Sequence, residues 1–381
     1  MDKTMKSPLA IALAVIAAIG AGTWVFQLMN GLGVTGMDNV VSWGLYLACF
    51  LFFGGLASGS LALAASIELF DLKEWKPIEL PAVVCALVCI CCAGLCVMLD
   101  LGGVSRVWRM IVGLNIESPL AWDMLVLVAS IIVDILFLRA LSTGKSGDKG
   151  TRTIALVALP LAILCVAVES WVFGMQVAKE AWGAMLAPVF VASSLDSGLA
   201  LVLLACLGLK SQATEIGANL LSKLSRLLMA LVAVDFFLIF CEIATAAYTG
   251  EALAELVLTG SLAPLFWANV LVGLVVPFAI LALGENRQNK AIVCVASVLV
   301  LAGVLCKRCW VLLSGFMVPN IAAAPGVTLG TAAAQTGGAV NVWALAGAYV
   351  PTLPEIVIAV AVFALAALAY ILVYGRVGNK A

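Results

Sequence analysis

The sequence predicts an all-helical membrane protein with ten transmembrane helices. Of its 381 residues, 64% are hydrophobic and only 11% are charged, whereas soluble domains average about 45–50% apolar and 25% charged residues. The chain also contains ten apolar segments, and about 20 such residues are enough to cross a hydrocarbon core of about 30 Å. Because backbone immersed in lipid must satisfy its own hydrogen bonds, each segment is expected to be a helix.

The ten predicted spans follow one another with short connections. The first comes after a basic N-terminus, in the order of a signal peptide, but its apolar run continues to about Met29, so we expect a retained helix. One long connection, 314–353, is uncharged and rich in Ala, Gly and Pro, and we expect it to cover the outer face or to contact a partner. A single membrane domain over 1–381 is predicted, with spans at 8–30, 40–67, 80–101, 119–141, 153–176, 186–209, 225–248, 262–283, 290–313 and 354–374.

The distribution of Lys and Arg predicts the orientation, because short loops that hold these residues tend to stay in the cytoplasm. Five cations fall on one side: Arg106, Arg109, Lys179, Lys307 and Arg308. Both termini are therefore predicted to be cytoplasmic. The cations of the N-terminus, the even-numbered loops and the C-terminus are Lys3, Lys6, Lys73, Lys76, Arg139, Lys145, Lys149, Arg152, Lys210, Lys223, Arg226, Arg287, Lys290, Arg376 and Lys380.

Two short sequence matches indicate an internal repeat. The residues 56–59, LASG, match 195–198, LDSG, and the residues 119–122, PLAW, match 264–267, PLFW. The matched segments are separated by an even number of membrane crossings, so the copies would share one orientation. The sequence predicts two parallel four-helix bundles, a first bundle over 40–176 and a second over 186–313, flanked by the first and last helices. Gly55 and Gly59 form a GxxxG pattern, which favours close helix contact.

Ionisable residues concentrate between the third and fourth spans. Asp100 ends one span and Asp123 begins the next, with Arg106 and Arg109 between them at the spacing of one helical turn. Glu169 should reach the same end of the first bundle. A charge at the bilayer centre costs about 2.5–3.5 kcal/mol, so this outward cluster is a candidate functional site. The alternative is that these groups pair between helices or reach the interface.

Four further acids lie deeper in the predicted helices. Asp134, Asp196, Asp235 and Glu242 are candidates for a proton path, or are buried groups that only make hydrogen bonds. The repeat alignment sets Asp100 opposite Glu242, and Glu169 opposite Arg308. Tryptophans at helix ends are typical of the membrane interface. Two of them also qualify as contacts of a quinone ring, Trp43 and Trp122.

The absence of histidine excludes the ligation by axial histidines that holds haem in membrane cytochromes b. Of the twelve cysteines, five crowd the third span, where a buried Cys behaves as a small hydrophobe. Cys306 and Cys309 form a lone CxxC without a second pair, which is weak evidence for a metal site. We therefore expect no haem and no metal bound by this chain, and redox chemistry would need a diffusible carrier such as quinol.

Four motifs in order resemble the polysulfide reductase NrfD family of integral membrane subunits. They are 42–46, SWGLY, 54–59, GGLASG, 118–122, SPLAW, and 349–352, YVPT, with Glu355 opening the last helix. The resemblance implies a quinone-binding membrane anchor without haem or metal. It also implies docking to a ferredoxin-like iron–sulfur subunit and to a catalytic subunit, often a molybdopterin enzyme. The ten-helix plan is similar to the hydrogenase and alternative complex III branches of the family.

The resemblance and the outward cluster together predict a quinol-oxidising, or in reverse quinone-reducing, subunit of a complex in the cytoplasmic membrane, with menaquinone as the expected quinone. Some relatives use a histidine at the quinone, and here an acid must take that role. Asp123 is the first candidate for proton acceptor, Asp100 the second and Glu169 the third. Arg106 and Arg109 would contact the quinone or hold the partner. The alternative is an ion-coupled transporter or channel without a redox partner.

Overall fold

The computed structural model describes residues 7–176, 179, 181–183, 185–208, 216–318 and 347–378. Within these residues, ten helices are long and apolar enough to cross a membrane, which confirms the all-helical, multi-pass prediction. They are α1 (Pro8–Asn30), α2 (Leu45–Leu69), α3 (Lys76–Asp100), α4 (Pro119–Ser142), α5 (Lys149–Gly174), α6 (Leu186–Gly208), α7 (Ala218–Thr249), α8 (Ala263–Ala282), α9 (Lys290–Met317) and α10 (Leu353–Val377). We call the membrane face at which α2, α4, α6, α8 and α10 begin the rim face.

Several helix boundaries differ from the prediction, most of all at α7, which begins at Ala218 rather than at 225. The second helix begins at Leu45 rather than at 40, because the Asp38 carboxylate accepts hydrogen bonds of 2.7 Å from the N–H groups of both Val40 and Val41. Such a side-chain turn competes with helix formation. The ninth helix continues to Met317, so the predicted loop 314–353 begins later than expected. Residues 319–346 of that loop lie outside the described residues.

The link between α3 and α4 contains two short helical turns instead of one helix. Residues Val104–Arg106 form a 3₁₀ turn and Trp108–Val112 form a separate α-turn. Glycines at 102, 103 and 113 border these turns and interrupt a continuous helix. Arg106 and Arg109 therefore lie in two successive short turns rather than in one regular helix.

The eighth helix changes its winding part of the way along. It is α-helical over Ala263–Trp267, π-helical over Ala268–Val275 and α-helical again over Val276–Ala282. A helix of this kind shifts the register of every residue that follows the wide turns. Gly273 in the π segment lies so close to Gly303 of α9 that a Cβ on either glycine would overlap the backbone of the other.

The core of the molecule is built around α2, which packs against α3, α5, α6 and α9. Almost the whole of α2 is buried, whereas α1 contacts mainly α10 and exposes most of its apolar surface. Helices with apolar exposed surfaces are compatible with contact to lipid. The central position of α2 places its glycines beside several helices at once.

The two LxSG segments that match in sequence meet at the crossing of α2 and α6. A Cβ at Gly198 would overlap the backbone of Gly59, and a Cβ at Gly59 would overlap the carbonyl oxygen of Ser194. Small residues let membrane helices approach closely and gain dispersion contacts. The close helix contact predicted for the GxxxG pattern is thus confirmed at Gly59.

A hydrogen-bonded fastening joins the beginnings of α2 and α10 on the rim face. The Glu355 carboxylate accepts bonds of 2.8 Å from the N–H groups of Gly36 and Thr352 and from the hydroxyl of Tyr349. The Tyr349 oxygen in turn accepts a bond of 2.7 Å from the N–H of Leu45, the first residue of α2. Burial raises the pKa of Tyr349 well above its usual range. The YVPT motif and Glu355 therefore close the fold between distant parts of the chain.

We expect Gly198→Ala to destabilise the protein, because its methyl group would collide with the Gly59 backbone, which cannot rotate away. Overpacking of this kind costs about 1–3 kcal/mol. Thermal unfolding of the purified protein in detergent should show a lower midpoint for this variant. The matched control is Gly22→Ala in α1, where nothing lies within 4 Å of the added Cβ. Equal midpoints for the two variants would contradict the crossing described here.

Candidate functional site

A cavity of about 410 Å³ opens at the rim face between the beginning of α4 and the end of α5. Its size falls within the range of about 300–1,000 Å³ that is usual for small-molecule sites. We call it the rim cavity. Its lining residues are Glu117, Ser118, Pro119, Leu120, Val172, Met175 and Gln176.

Two acids lie one helical turn deeper than the lining of the rim cavity. Asp123 follows Pro119 by four residues on α4, and Glu169 precedes Val172 by three residues on α5. Residues at these spacings share one face of a helix. Asp123 is 9% exposed and Glu169 is 1% exposed, and their carboxylates are close enough to repel each other when both are charged. The structure thus brings Asp123 and Glu169 together at one end of the first bundle.

The Glu169 side chain occupies space that exists because residue 54 is a glycine. A Cβ at Gly54 of α2 would overlap the Glu169 carboxylate. Its Oε2 atom has no hydrogen-bond partner among the described residues. Leaving a buried polar atom without a partner costs about 1–3 kcal/mol. Such an atom is a candidate acceptor for a proton or for a ligand hydroxyl.

Lys307 forms an ion pair in the interior with Asp235 of α7. Both side chains are completely buried, and the Lys307 ammonium donates to Asp235 Oδ1 at 2.5 Å and to the Val189 carbonyl at 3.3 Å. Buried ion pairs persist only where attraction and hydrogen bonds offset the loss of hydration. This pair therefore fixes α7, α9 and α6 relative to one another.

Arg308, the next residue, extends toward α2 and α6. Its guanidinium lies 3.9 Å from the centroid of the Phe190 ring, and its Nη2 atom would lie 2.9 Å from a Cβ at Gly55. The side chain is fully buried, and its three nitrogens have no hydrogen-bond partner in the described part of the chain. It attracts the anionic forms of Glu169, Asp235 and Asp196. One buried cation thus lies among acids from three helices.

The burial of Lys307 and Arg308 corrects the count of cations used for orientation. The sequence count includes both among the outward cations, but they are buried inside α9, and Arg308 is nine residues from its end at Met317. Removing two of the five cations leaves three on that side: Arg106, Arg109 and Lys179. The excess of Lys and Arg on the opposite face over the rim face is therefore larger than the sequence count indicates.

Asp100 lies apart from the pair of Asp123 and Glu169. The charged group that acts on it most strongly is Glu355 of α10, not an acid of α4 or α5. Beside it, the Gln27 amide donates to the Leu99 carbonyl at 2.9 Å and accepts from the Tyr46 hydroxyl at 2.5 Å, which joins the rim ends of α1, α2 and α3. The structure therefore separates the predicted acid cluster into two groups.

The two arginines of the link are exposed and form no ion pair within the described ranges. The Arg109 guanidinium lies 5.6 Å from the ring centroid of Trp108, which is itself exposed. Trp122 at the beginning of α4 donates from Nε1 to the Ile116 carbonyl at 2.5 Å, so its indole fastens the link to the helix. The arginines are thus available to a molecule outside the membrane core.

Trp43 belongs to a packed group of four rings on the rim face. It stacks on Trp182 at 6.4 Å between centroids and meets the edges of Phe173 and Phe316 at 5.7 and 6.1 Å. The Lys179 ammonium lies 4.8 Å from the centroid of Phe316, and burial lowers the pKa of this lysine. We call these four rings the aromatic cluster. It closes the space between the rim ends of α5 and α9.

The deeper acids form two polar faces. On α4, Asp123, Ser130 and Asp134 are all buried at spacings of seven and four residues, which is one helix face. Asp134 lies eleven residues from Asp123, or about 16 Å along the axis. On α7, Asp235 and Glu242 are buried seven residues apart. The polar face of α4 runs from the rim cavity toward the other membrane face.

Comparison with known proteins decides the family. Residues 33–320 match the family model described as polysulphide reductase, NrfD. The chain belongs to the NrfD family. The matched residues run from the link before α2 to the end of α9, and so include the rim cavity, Asp123, Glu169 and Arg308. The resemblance seen in the sequence is confirmed.

Three relatives are similar to this NrfD-family chain over most of their lengths. A protein of Halobacterium salinarum assigned as a membrane subunit of dimethyl sulfoxide reductase is 31% identical over 93% of this chain and 87% of its own. A selenate reductase subunit of Mesobacillus selenatarsenatis is 24% identical, over 81% and 82%. The Hdr-like menaquinol oxidoreductase integral membrane subunit of Archaeoglobus fulgidus is 26% identical, over 84% and 82%.

Sequence reasoning does not assign a site role to Arg308 or Lys307. The sequence does indicate that both residues are buried, because the nine residues after Arg308, CWVLLSGFM, contain no charge and are mostly apolar. An apolar run of that length places both cations inside the span. Tyr349 and Glu355 stand out in the sequence only as part of a motif, and their fastening of α2 to α10 requires the tertiary structure.

We expect Lys307→Met to destabilise this NrfD-family protein by about 3–5 kcal/mol, because it leaves Asp235 buried without its cation. The double variant Asp235→Leu/Lys307→Met should recover most of that loss, because two apolar side chains then replace the pair. Chemical denaturation of the purified protein measures both. The exposed pair of Lys223 and Glu74 is the matched control, and its disruption should cost at most about 1 kcal/mol. A double variant no more stable than Lys307→Met would contradict the assignment.

Proposed function

We propose that this NrfD-family chain is the quinone-binding membrane subunit of a membrane-bound oxidoreductase. It oxidises quinol, or in reverse reduces quinone, and exchanges the electrons with an iron–sulfur partner. The observation that carries the proposal is the rim cavity with Asp123 and Glu169 one turn below it. The similarity to the menaquinol oxidoreductase subunit of Archaeoglobus fulgidus favours menaquinone as the quinone.

The acids supply what quinol oxidation needs from the protein. Oxidation releases two electrons and two protons, and carboxylates at hydrogen-bonding distance are suitable proton acceptors. Asp123 is the first acceptor, since it is the more exposed of the two acids below the cavity. Glu169 lies behind it with one oxygen free of hydrogen bonds among the described residues. Asp100 is a second candidate acceptor, reached from the side of α1 and α10.

Aromatic residues near the cavity would position the quinone ring. Trp122 lies on the same turn of α4 as Asp123, and its indole is held by the bond to Ile116. Trp43 is held in the aromatic cluster next to Phe173, which follows Glu169 by four residues on α5. Flat rings with fixed orientations provide apolar contact area at low entropic cost. We assign Trp122 and Trp43 to the quinone site on this basis.

The exposed arginines of the link are assigned to the partner. Arg106 and Arg109 have no acid partner within the described ranges, so their charges are available to an acidic protein surface or to a quinone carbonyl at the cavity mouth. We propose a ferredoxin-like iron–sulfur subunit at this surface and a catalytic subunit, of the molybdopterin type, beyond it. Two relatives are named as subunits of reductases, which supports this assembly.

The proposal includes an orientation and a division into repeats. We place both termini in the cytoplasm and the rim face outside, in line with the positive-inside rule. The first and second bundles, 40–176 and 186–313, are parallel copies, and the crossing of Gly59 with Gly198 supports this division. A candidate proton path uses the deeper acids Asp134, Asp196, Asp235 and Glu242.

Asp123→Asn is expected to slow quinol oxidation by the intact complex about a hundredfold, because the amide cannot accept the quinol proton. Turnover with menadiol as donor and an artificial acceptor at the iron–sulfur subunit measures this. Asp148→Asn, an exposed acid on the other membrane face, is the control and should turn over at the parent rate. Parent kinetics in both Asp123→Asn and Asp100→Asn would disprove the assigned acceptors.

The double change Arg106→Glu/Arg109→Glu is expected to weaken binding of the iron–sulfur subunit about tenfold or more, because it reverses two exposed charges at the docking surface. Co-purification at increasing salt measures the effect, which should be largest at low ionic strength. The control is Lys73→Glu, an exposed lysine on the other face. Unchanged retention of the partner at all salt concentrations would place the docking surface elsewhere.

A further inference from the structure

The fully buried groups around Arg308 do not balance in charge. Lys307 is paired with Asp235 by a hydrogen bond of 2.5 Å, so this lysine and this acid compensate each other. The remaining cation is Arg308, and two further buried acids face it, Glu169 on α5 and Asp196 on α6. Glu169 is 1% exposed and Asp196 is not exposed at all. Two acids therefore share one guanidinium.

The two acids lie on different helices that pack near the guanidinium, α5 and α6. Glu169 and Arg308 lie against successive glycines of α2, Gly54 and Gly55. A Cβ at Gly55 would also lie 3.1 Å from Ser194 Oγ of α6, and Asp196 is two residues further along that helix. Neither oxygen of Asp196, nor Glu169 Oε2, has a hydrogen-bond partner in the described part of the chain. Neither acid forms a direct ion pair among the described residues.

Every charged group that acts on the two acids is accounted for within the described residues. Glu169 is repelled by Asp123 of α4 and attracted by Arg308 of α9. Asp196 is repelled by Asp235 of α7 and attracted by Lys307 and Arg308. An ionised carboxylate that is buried without its own cation costs several kcal/mol, and a buried group avoids this cost by holding a proton. With one guanidinium available, one acid is an anion and the other is protonated.

We infer that Glu169 and Asp196 share a single proton across Arg308, so that protonation of one acid drives deprotonation of the other. This inference rests on the proposed quinol oxidation at the rim cavity. When quinol is oxidised, its two electrons go to the iron–sulfur partner and its O–H bonds break. One proton goes to the rim through Asp123, and the other forms an O–H bond on the Glu169 carboxylate.

The release from Asp196 completes the exchange. Once Glu169 is neutral, Arg308 still attracts Asp235 and Asp196, and Asp235 is already paired with Lys307. The guanidinium therefore stabilises the anionic form of Asp196, whose O–H bond breaks. The released proton passes toward Glu242 on α7, where Oε2 is free of hydrogen bonds among the described residues. Arg308 is thus a positioning residue that links the quinone site on α4 and α5 to the acids on α6 and α7. The protonation state of Arg308 itself does not change.

Infrared difference spectroscopy of the intact complex, between its menadiol-reduced and reoxidised states, tests the exchange directly. Protonated carboxyl groups give C=O bands that shift in D₂O. The parent complex should show two such bands of opposite sign, one from Glu169 and one from Asp196. Glu74→Gln, on the other membrane face and in an exposed ion pair, is the control and should retain both.

Three variants separate the assignments. E169Q should lose both bands, because without proton uptake at residue 169 nothing drives release from Asp196. D196N should keep the Glu169 band and lose the opposite one. R308Q should lose both bands, because each acid then stays protonated. Thermal unfolding and retention of the partner subunit verify that each variant is assembled, and the two near-isosteric changes E169Q and D196N are decisive if R308Q does not assemble.

The outcomes distinguish a failure of the proposed quinol oxidation from a failure of the proton exchange alone. A parent complex without any menadiol-dependent turnover or carboxyl bands would overturn the proposed function. Turnover with a single carboxyl band, or an Asp196 band that persists in E169Q, would overturn the shared proton while leaving quinol oxidation intact. Loss of the bands in the pattern described for the three variants supports the exchange.

Discussion

The structure depends on the compensation of charge in an interior that is shielded from solvent. Two cations and several acids are removed from solvent around α2, and each must find a partner or give up its charge. Lys307 satisfies Asp235 directly. Arg308 lies between acids of different helices, which is possible because Gly54 and Gly55 leave room for charged side chains beside the central helix. The glycines of α2 thus serve two purposes, close packing at Gly59 and space for charge at 54 and 55.

The rim cavity and the buried charges form one system because α4 and α5 connect them. Pro119 and Val172 belong to the cavity wall, and Asp123 and Glu169 lie one turn deeper on the same helices. Glu169 then reaches Gly54, next to the position where Arg308 reaches Gly55. A molecule in the cavity would therefore act on the second half of the chain through a short series of contacts. The family resemblance alone does not predict this connection between the rim cavity and the buried charges.

Much of the fold could be predicted because hydropathy reports depth in a membrane. The ten spans, the depth of Asp123 and Glu169, and the close contact at the GxxxG pattern all follow from residue order and helical spacing. The direction in which a side chain points around its helix could not be predicted, since nearly every face of these helices is apolar. The sequence therefore groups Asp100 with Asp123, although Asp100 faces Glu355. It also counts Arg308 among the outward cations, although this residue is buried in α9.

The fastening at Glu355 has a consequence for biosynthesis. Its hydrogen bond to Gly36 joins residues 319 positions apart in the chain, and a second bond through Tyr349 reaches the first residue of α2. As a ribosome delivers the helices in order, Gln27 of α1 can bond Tyr46 of α2 early, whereas the bonds from Tyr349 and Glu355 form only after the last helix has been made. A chain truncated before α10 would therefore lack the bonds to Gly36 and Leu45, and assembly of the beginning of α2 would be completed only after synthesis of the last helix.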